Sequence, residues 1–293
     1  PQESISVDDC CEVPHVDGTC RFPLWFADGR RPGLCLHQPR ALEDHPGGLC
    51  PRRRPPPKCL DLAQPLKNGM PQSPNHPPFR MILERRHGDM VRSDGGSASN
   101  EVIITGGHVG THVDALGHVS QDGLIYGGIK AESIQSHLGL AEHGIDTFTP
   151  YVGRGVLLDI TKVKGVDTLD PGYGITADDL EAAEELAGVK VQEGDAVLIG
   201  SGWSRLWDDR LAFQGVDSGV PGPDVSAGKW LQSKKVRVAG AETIAFEQLK
   251  PGAGHATLPV HRVLLVDAGI NIIETMRLHE LLDSGASEFI GGL

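Results

Sequence analysis

A histidine- and acid-rich segment, residues 108–118, carries side chains that commonly bind metal ions. It reads His-Val-Gly-Thr-His-Val-Asp-Ala-Leu-Gly-His. Two imidazoles and one carboxylate leave a Zn²⁺ or Mn²⁺ with open positions for water and substrate. We therefore predict that His108, His112 and Asp114 are metal ligands. The alternative is a surface loop rich in histidine, since the chain has thirteen histidines.

The last histidine of this segment is predicted to transfer protons. His118 follows Asp114 by four residues, close enough to act on a metal-bound water without being a ligand. A general base must come within about 2.6–3.2 Å of the group whose proton it accepts, or act through one water. We therefore predict that His118 is catalytic.

The spacing within the segment favours a strand. His108, His112 and Asp114 are all even-numbered, so they share one face of an extended chain. On a helix, Asp114 would lie about 200° around the axis from His112. The neighbouring glycines also oppose a helix. In this interpretation Gly110 leaves space beside the ion, and Thr111 faces away and forms a hydrogen bond behind the site.

The elements that would position this segment predict an α/β fold. Strands are expected at residues 102–105, 155–160, 236–239, 263–266 and 270–273, and a turn followed by a strand at 191–199. Helices are expected at 177–187, with Thr176 as N-cap and Gly188 at the end, and at 226–234. Because several strands follow one another without a helix, the order favours a mixed sheet over a doubly wound Rossmann sheet.

Composition limits the classes of partner and compartment. The formal net charge of −12 argues against nucleic acid and anionic membranes and leaves a small-molecule substrate. No apolar run is long enough to predict a transmembrane helix. All six cysteines lie within the first 59 residues. In a secreted protein, disulfide bonds would be expected to cross-link the folded domain. Cysteine placement therefore predicts a reducing compartment, the cytoplasm.

Two regions of different character divide the chain. Residues 1–57 are rich in proline, arginine and cysteine, without an apolar period, and predict an irregular leader. Disorder or an aberrant, shifted reading frame would each explain that composition. Residues 58–293 have globular character and are predicted to form the domain.

Common catalytic motifs of other enzyme classes are missing from the sequence. It has no Gly-x-Ser-x-Gly elbow, no His-Glu-x-x-His and no Gly-rich phosphate loop. A cysteine nucleophile is disfavoured because every cysteine lies at or before residue 59. Metal chemistry is therefore the main catalytic hypothesis.

The pattern His-x-Gly-Thr-His-x-Asp-x-x-x-His at residues 108–118 resembles the signature of the metal-dependent cyclase superfamily. That family includes bacterial kynurenine formamidase, isatin hydrolase and trans-dienelactone hydrolase. Three further segments resemble family motifs, namely 61–71, Ser201-Gly-Trp203, and 261–265 together with 270–274. The resemblance covers residues 60–293. It departs at Leu116, where many members have proline, and residues 1–57 have no match.

The resemblance implies a swivelling β/α/β fold with a mixed sheet core, and a homodimer or larger homo-oligomer. It also implies hydrolysis of a small cyclic or aryl amide, such as isatin or N-formylkynurenine, by a metal-activated water. The alternatives are a lactone hydrolase and a metal-binding protein without catalysis. One divalent ion is expected, Mn²⁺ or Zn²⁺. By resemblance, His261 and Glu274 bind a second ion with Asp114 bridging, or else they surround a single metal.

Four other residues are candidates for the site or its surroundings. Trp203 is predicted to line the substrate pocket, with core packing as the alternative. His255 is interpreted as a loop or pocket-wall histidine, Arg205 as a surface residue and Glu242 as structural.

Overall fold

The computed structural model describes residues 58–293, so the predictions for the leader at 1–57 lie outside the described residues. The strands are β1 Arg80–Arg85, β2 Asn100–Ile104, β3 His112–Asp114, β4 Leu124–Ile125, β5 Ile129–Lys130, β6 Gln135–Ser136, β7 Gly139–Leu140, β8 Val152–Asp159, β9 Gly174–Ile175, β10 Ala196–Gly200, β11 Gly222–Pro223, β12 Val238–Ala241, β13 Asn271–Glu274 and β14 Glu288–Gly292. The helices are α1 Ala131–Ile134, α2 Ile160–Lys164, α3 Ala177–Ala187, α4 Arg210–Gln214, α5 Val225–Lys234, α6 Pro259–His261, which continues as a π-helix over Arg262–Ala268, and α7 His279–Ser284.

A six-stranded mixed sheet forms the centre of the described chain. Its strand order is β14-β8-β10-β12-β13-β3. The four central strands are parallel to one another, and the two outer strands, β14 and β3, are antiparallel to their neighbours. The predicted α/β class with a mixed sheet is therefore confirmed.

Both faces of the central strands are buried, which explains their nearly continuous apolar sequences. In β10, Val197 and Ile199 pack into the core under α3, α5 and the π-helix. The alternate residues Ala196 and Leu198 pack on the opposite face, in the core that includes α7. Covering both faces of the sheet leaves its edges and strand ends for functional side chains.

Helix α3 occupies the predicted range, residues 177–187, because its end signals are strong. The Thr176 side chain accepts from the Asp179 N–H while the Asp179 side chain accepts from the Thr176 N–H, which is a capping box. Gly188 ends the helix in a left-handed conformation. The other predicted helix is α5, one residue longer at its start.

The strand predicted at 263–266 is wrong. These residues belong to the π-helix, and Val263, Leu264 and Leu265 are buried in it. A short apolar run suits a buried helix as well as a buried strand. Pro259 at the first helical position favours the helix here.

No helix within residues 58–293 is both long enough and apolar enough to cross a membrane.

Candidate active site

The pairing of β3 with β13 positions three polar side chains of the site. His112 lies directly opposite Glu274, and Asp114 lies opposite Ile272. His112 Nε2 is 3.4 Å from Glu274 Oε2 and 3.4 Å from Asp114 Oδ1. His112 and Asp114 share a face of β3, as their spacing predicted.

Two side chains behind the strand fix this register. The Thr111 hydroxyl donates to the carbonyl of Thr275 at 2.6 Å and accepts from the Gln64 N–H at 2.8 Å. Asn271 Nδ2 donates to the carbonyl of Asp114 at 2.7 Å. Thr111 therefore has the supporting hydrogen bonds that the sequence predicted.

His108 joins the site from a turn, so the prediction of one extended segment from 108 to 114 is wrong. The strand begins at His112, because Gly110 takes a φ of +74° and bends the chain. A Cβ at Gly110 would lie 2.6 Å from Leu66 Cδ2, so this glycine makes room for Leu66 and not for an ion. The turn still brings His108 Nδ1 to 2.8 Å from Asp114 Oδ1 and 3.1 Å from His112 Nε2.

His118 returns to the site after a second turn. The His118 N–H donates to the carbonyl of Ala115, and the Gly117 N–H donates to the carbonyl of His143. The His118 ring stacks on His108, with centroids 3.8 Å apart. One ring nitrogen of His118 also lies within 4.8 Å of donor atoms on His108 and Asp114. His118 is exposed, so it faces both the cluster and solvent.

His261 approaches from the opposite side, at the last position of α6. Its Nε2 is 3.1 Å from Glu274 Oε1 and 3.5 Å from Asp114 Oδ2. The structure thus gathers His108, His112, Asp114, His261 and Glu274, which we call the acid–imidazole cluster. Glu274 follows His261 by thirteen positions in the sequence, and the helix and β13 bring the two side chains together.

Asp114 lies at the centre of this cluster and fits a cation. Its side chain is 1% exposed, with Oδ1 facing His108 and His112 and Oδ2 facing His261. Within residues 58–293, no donor is directed at either oxygen with hydrogen-bond geometry. A buried carboxylate needs cationic or hydrogen-bonding partners, and here the surrounding imidazoles and a bound cation can both supply them. A divalent ion would satisfy it, and the imidazole and carboxylate donors match Zn²⁺ or Mn²⁺.

The cluster groups perturb one another's protonation. Burial favours neutral Asp114, but the imidazoles of His108, His112 and His261 hold its pKa well below the usual range. Burial and the nearby Asp114 charge raise the pKa of Glu274. Although burial opposes it, the neighbouring carboxylates raise the pKa of His112 and of His261.

The histidines around the acid–imidazole cluster have lowered pKa values instead. Burial of part of the ring, together with the other imidazoles and against the pull of Asp114, lowers the pKa of His118 to about 4. Burial also lowers the pKa of His76 and of His255, and nearby histidines add to the effect.

Sequence reasoning missed part of the rim of the site. The His76 ring stacks on His108 with centroids 5.4 Å apart, so His76, His108 and His118 form a stack of three imidazoles. Asn75 Nδ2 lies 3.1 Å from His255 Nδ1, which links the loops that carry these residues. His255 is thus on the loop side, as predicted, whereas His76 has no spacing relation to the 108–118 segment that would reveal it.

The remaining candidate residues lie away from the cluster. Trp203 is 2% exposed, and its indole N–H donates to the carbonyl of Phe213, so it packs in the core and does not line a pocket. Arg205 pairs with Asp283 near the surface. Glu242 is fully buried and accepts hydrogen bonds from the backbone and hydroxyl groups of Ser201 and Ser204, which agrees with a structural role.

Glu247 is a further residue that the sequence did not reveal. It is 1% exposed and its carboxylate contacts His261 directly, with Oε1 2.7 Å from Nδ1. A single glutamate fourteen residues before a histidine gives no recognisable spacing signal.

Comparisons with known proteins agree with this architecture. The profile of the Cyclase family, described as "Putative cyclase", matches residues 60–248. The chain is 25% identical over 197 residues to isatin hydrolase of Roseibium aggregatum, covering 66% of this chain and 68% of that protein.

Solved structures extend the likeness to the fold. A structure described as a novel cyclase is 30% identical with a TM-score of 0.69, covering 78% of this chain and 80% of that one. Isatin hydrolase A of Ralstonia solanacearum is 22% identical with a TM-score of 0.57, covering 76% and 80%. The resemblance drawn from the 108–118 motif is therefore confirmed, and the chain belongs to the Cyclase family.

Proposed function

We propose that this protein is a metal-dependent hydrolase that cleaves a small cyclic or aryl amide. The observation that carries the proposal is Asp114, buried with no directed hydrogen-bond donor among residues 58–293 and surrounded by three imidazoles. The likeness to isatin hydrolase of Roseibium aggregatum supports an amide over other carbonyl substrates.

His108, His112 and Asp114 would hold the ion, Zn²⁺ or Mn²⁺. Their donor atoms lie 2.8–3.4 Å from one another. When bound, such an ion acts as a Lewis acid that activates water and polarises a carbonyl.

His118 is proposed to move the proton. Its ring lies beside His108 and stays open to solvent. A neutral imidazole in this position can accept a proton from the attacking water. The same ring then donates that proton to the leaving nitrogen as the C–N bond breaks.

A substrate panel tests the proposal. Purified protein, stripped of metal and then supplied with Zn²⁺ or Mn²⁺, is assayed with isatin, N-formylkynurenine and a dienelactone. We expect metal-dependent turnover of an amide. Faster turnover of the lactone would favour the lactone hydrolase alternative. Metal binding without turnover of any of the three would favour a non-catalytic metal-binding protein.

The number of ions is a separate question with its own measurement. Asp114 directs one oxygen toward His108 and His112 and the other toward His261. This placement supports a second ion, which His261 and Glu274 would hold together with Asp114. In the alternative, they surround a single ion. Elemental analysis of the purified protein should give two ions per chain in the first case and one in the second.

We also propose a cytoplasmic homo-oligomer. The compartment follows from cysteine placement, and Cys59 is a free thiol in the described chain. The family resemblance supports the oligomer, as does the β1–β2 hairpin, which exposes apolar side chains on both faces.

A further inference from the structure

The environment of His261 centres on one buried carboxylate. Glu247 Oε1 lies 2.7 Å from His261 Nδ1 and accepts from the His261 N–H at 2.8 Å. Glu247 Oε2 accepts from the Val260 N–H at 3.0 Å. Both oxygens are therefore occupied by the first turn of the helix that carries His261.

The backbone around Glu247 is held in a demanding conformation. Phe246 is fully buried with a φ of +53°, and the Glu247 N–H donates to the carbonyl of Ala245 across it, which forms a γ-turn. Gly222 permits this turn, because a Cβ there would lie 2.4 Å from Glu247 C and Phe246 O. A non-glycine residue with positive φ persists only where its surroundings enforce it. The position of Glu247 is thus fixed by packing.

We infer that Glu247 is a positioning residue, which holds His261 in the tautomer protonated at Nδ1. A carboxylate oxygen accepts hydrogen bonds, so Nδ1 must donate to it. A histidine that binds a metal is neutral, and in that state Nε2 presents its lone pair toward Asp114 and Glu274, 3.5 and 3.1 Å away. Three acceptors would meet there, an arrangement that a cation stabilises.

This inference rests on the proposed metal site and assigns Glu247 a part in it. A carboxylate behind a ligating histidine fixes its orientation and increases its basicity. Removing such a group commonly costs about 10- to 100-fold in metal affinity. Glu247 would act through His261, without touching the ion.

The chain supplies a matched control in Glu242. That carboxylate is also fully buried and accepts four hydrogen bonds, all from Ser201 and Ser204. Glu247→Gln and Glu242→Gln both remove a buried charge with several donors. Only the first replaces the partner of His261.

The test measures Zn²⁺ affinity by chelator competition, with the thermal midpoint of the metal-free protein recorded for each variant. We expect Glu247→Gln to bind Zn²⁺ about 10- to 100-fold more weakly than Glu242→Gln, at similar loss of thermal stability. Equal affinity in the two variants would overturn the role of Glu247 alone. Failure of the wild-type protein to bind either Zn²⁺ or Mn²⁺ would overturn the proposed function and this role together.

A second measurement does not require substitution of Glu247. The wild-type protein, labelled with ¹⁵N-histidine and loaded with Zn²⁺, is examined by NMR, with His261→Gln used to assign the resonance. We expect His261 to carry its proton on Nδ1. A proton on Nε2 would overturn the inference.

Discussion

The histidines of the 108–118 segment differ in their exposure and in the groups that they face. His112 is 10% exposed, and its Nε2 faces both Asp114 and Glu274. His118 stacks on His108 and stays open to solvent. The first position suits a ligand, and the second suits a group that exchanges protons with substrate.

Substitution of His118 should separate these roles. His118→Ala is expected to retain its metal and lose about 10²- to 10⁴-fold in turnover, the usual contribution of a general acid–base group. His112→Ala should lose both metal and turnover. Elemental analysis beside the amide assay measures the two effects. A metal-free His118→Ala protein would make His118 a ligand, which its distance to the donor atoms of His108 and Asp114 also permits.

At the scale of elements, sequence signals succeeded where local chemistry determines the backbone. The capping residues Thr176 and Gly188 gave both ends of α3. Sequence signals failed where tertiary packing determines the backbone conformation. The apolar run 263–266 was predicted as a strand but is helical. Residues 108–114 were predicted as extended from their even spacing, but the chain bends at Gly110.

The site followed the same division. His108, His112, Asp114 and His118 were recognisable because they lie within eleven residues. His76 and Glu247 come from distant parts of the chain and carry no local signal. The family resemblance alone indicated His261 and Glu274. Their spacing gives no signal, because their proximity depends on how the π-helix leads into β13.

The turn at Gly110 can be tested with a matched glycine. Gly110→Ala forces a positive φ on alanine, at about 1–3 kcal/mol, and places Cβ against Leu66. Gly123→Ala imposes a similar φ, +77°, with no atom within 4 Å of the added Cβ. We therefore expect weaker Zn²⁺ binding in Gly110→Ala alone, because only that turn carries His108. Equal affinity in both variants would contradict this explanation.

The start of α3 predicts a pH dependence of stability. Burial favours neutral Asp179, but Lys164, the Thr176 N–H and Tyr173 outweigh it and lower the pKa of this carboxyl. A lowered folded-state pKa stabilises the protein above the ordinary value of 3.8. That stabilisation is lost as pH falls through the folded-state pKa.

Asp179→Asn should thus lower the free energy of unfolding by about 2 kcal/mol at pH 7, the scale of hydrogen bonds to a charged group. The difference from wild type should shrink below pH 3.8. Asp178→Asn, an exposed change in the same helical turn, is the control. Urea denaturation at both pH values gives the comparison, and a difference independent of pH would refute the explanation.

At the scale of the whole molecule, the β1–β2 hairpin is an apolar surface that the described chain leaves exposed. Ile82 and Ile104 are 63% and 60% exposed on one face, and Leu83 and Ile103 are 55% and 52% exposed on the other. A two-stranded sheet is marginally stable by itself in water. A second copy of the chain would cover these apolar faces.

A double substitution tests whether this surface joins two copies. Light scattering with size-exclusion chromatography should give a dimer or larger mass for the wild-type protein and a smaller mass for Ile82→Asp/Ile104→Asp. Leu211 in α4 is also an exposed apolar residue, at 77%, but it lies outside the hairpin. Leu211→Asp should therefore leave the mass unchanged. A monomeric wild type would contradict the oligomer, and an unchanged double variant would exclude this hairpin.

The edge position of β3 has an evolutionary consequence. β3 is three residues long and pairs only with β13 among the described strands, so the segments on either side of it are not built into the sheet. Insertions and deletions before His108 or after His118 can reshape the mouth of the site while His112 and Asp114 keep their register against Glu274 and Ile272. Selection for a new substrate can therefore act on the length of these outer loops. Proteins with this strand order can therefore change substrate while the residues of the sheet core stay the same.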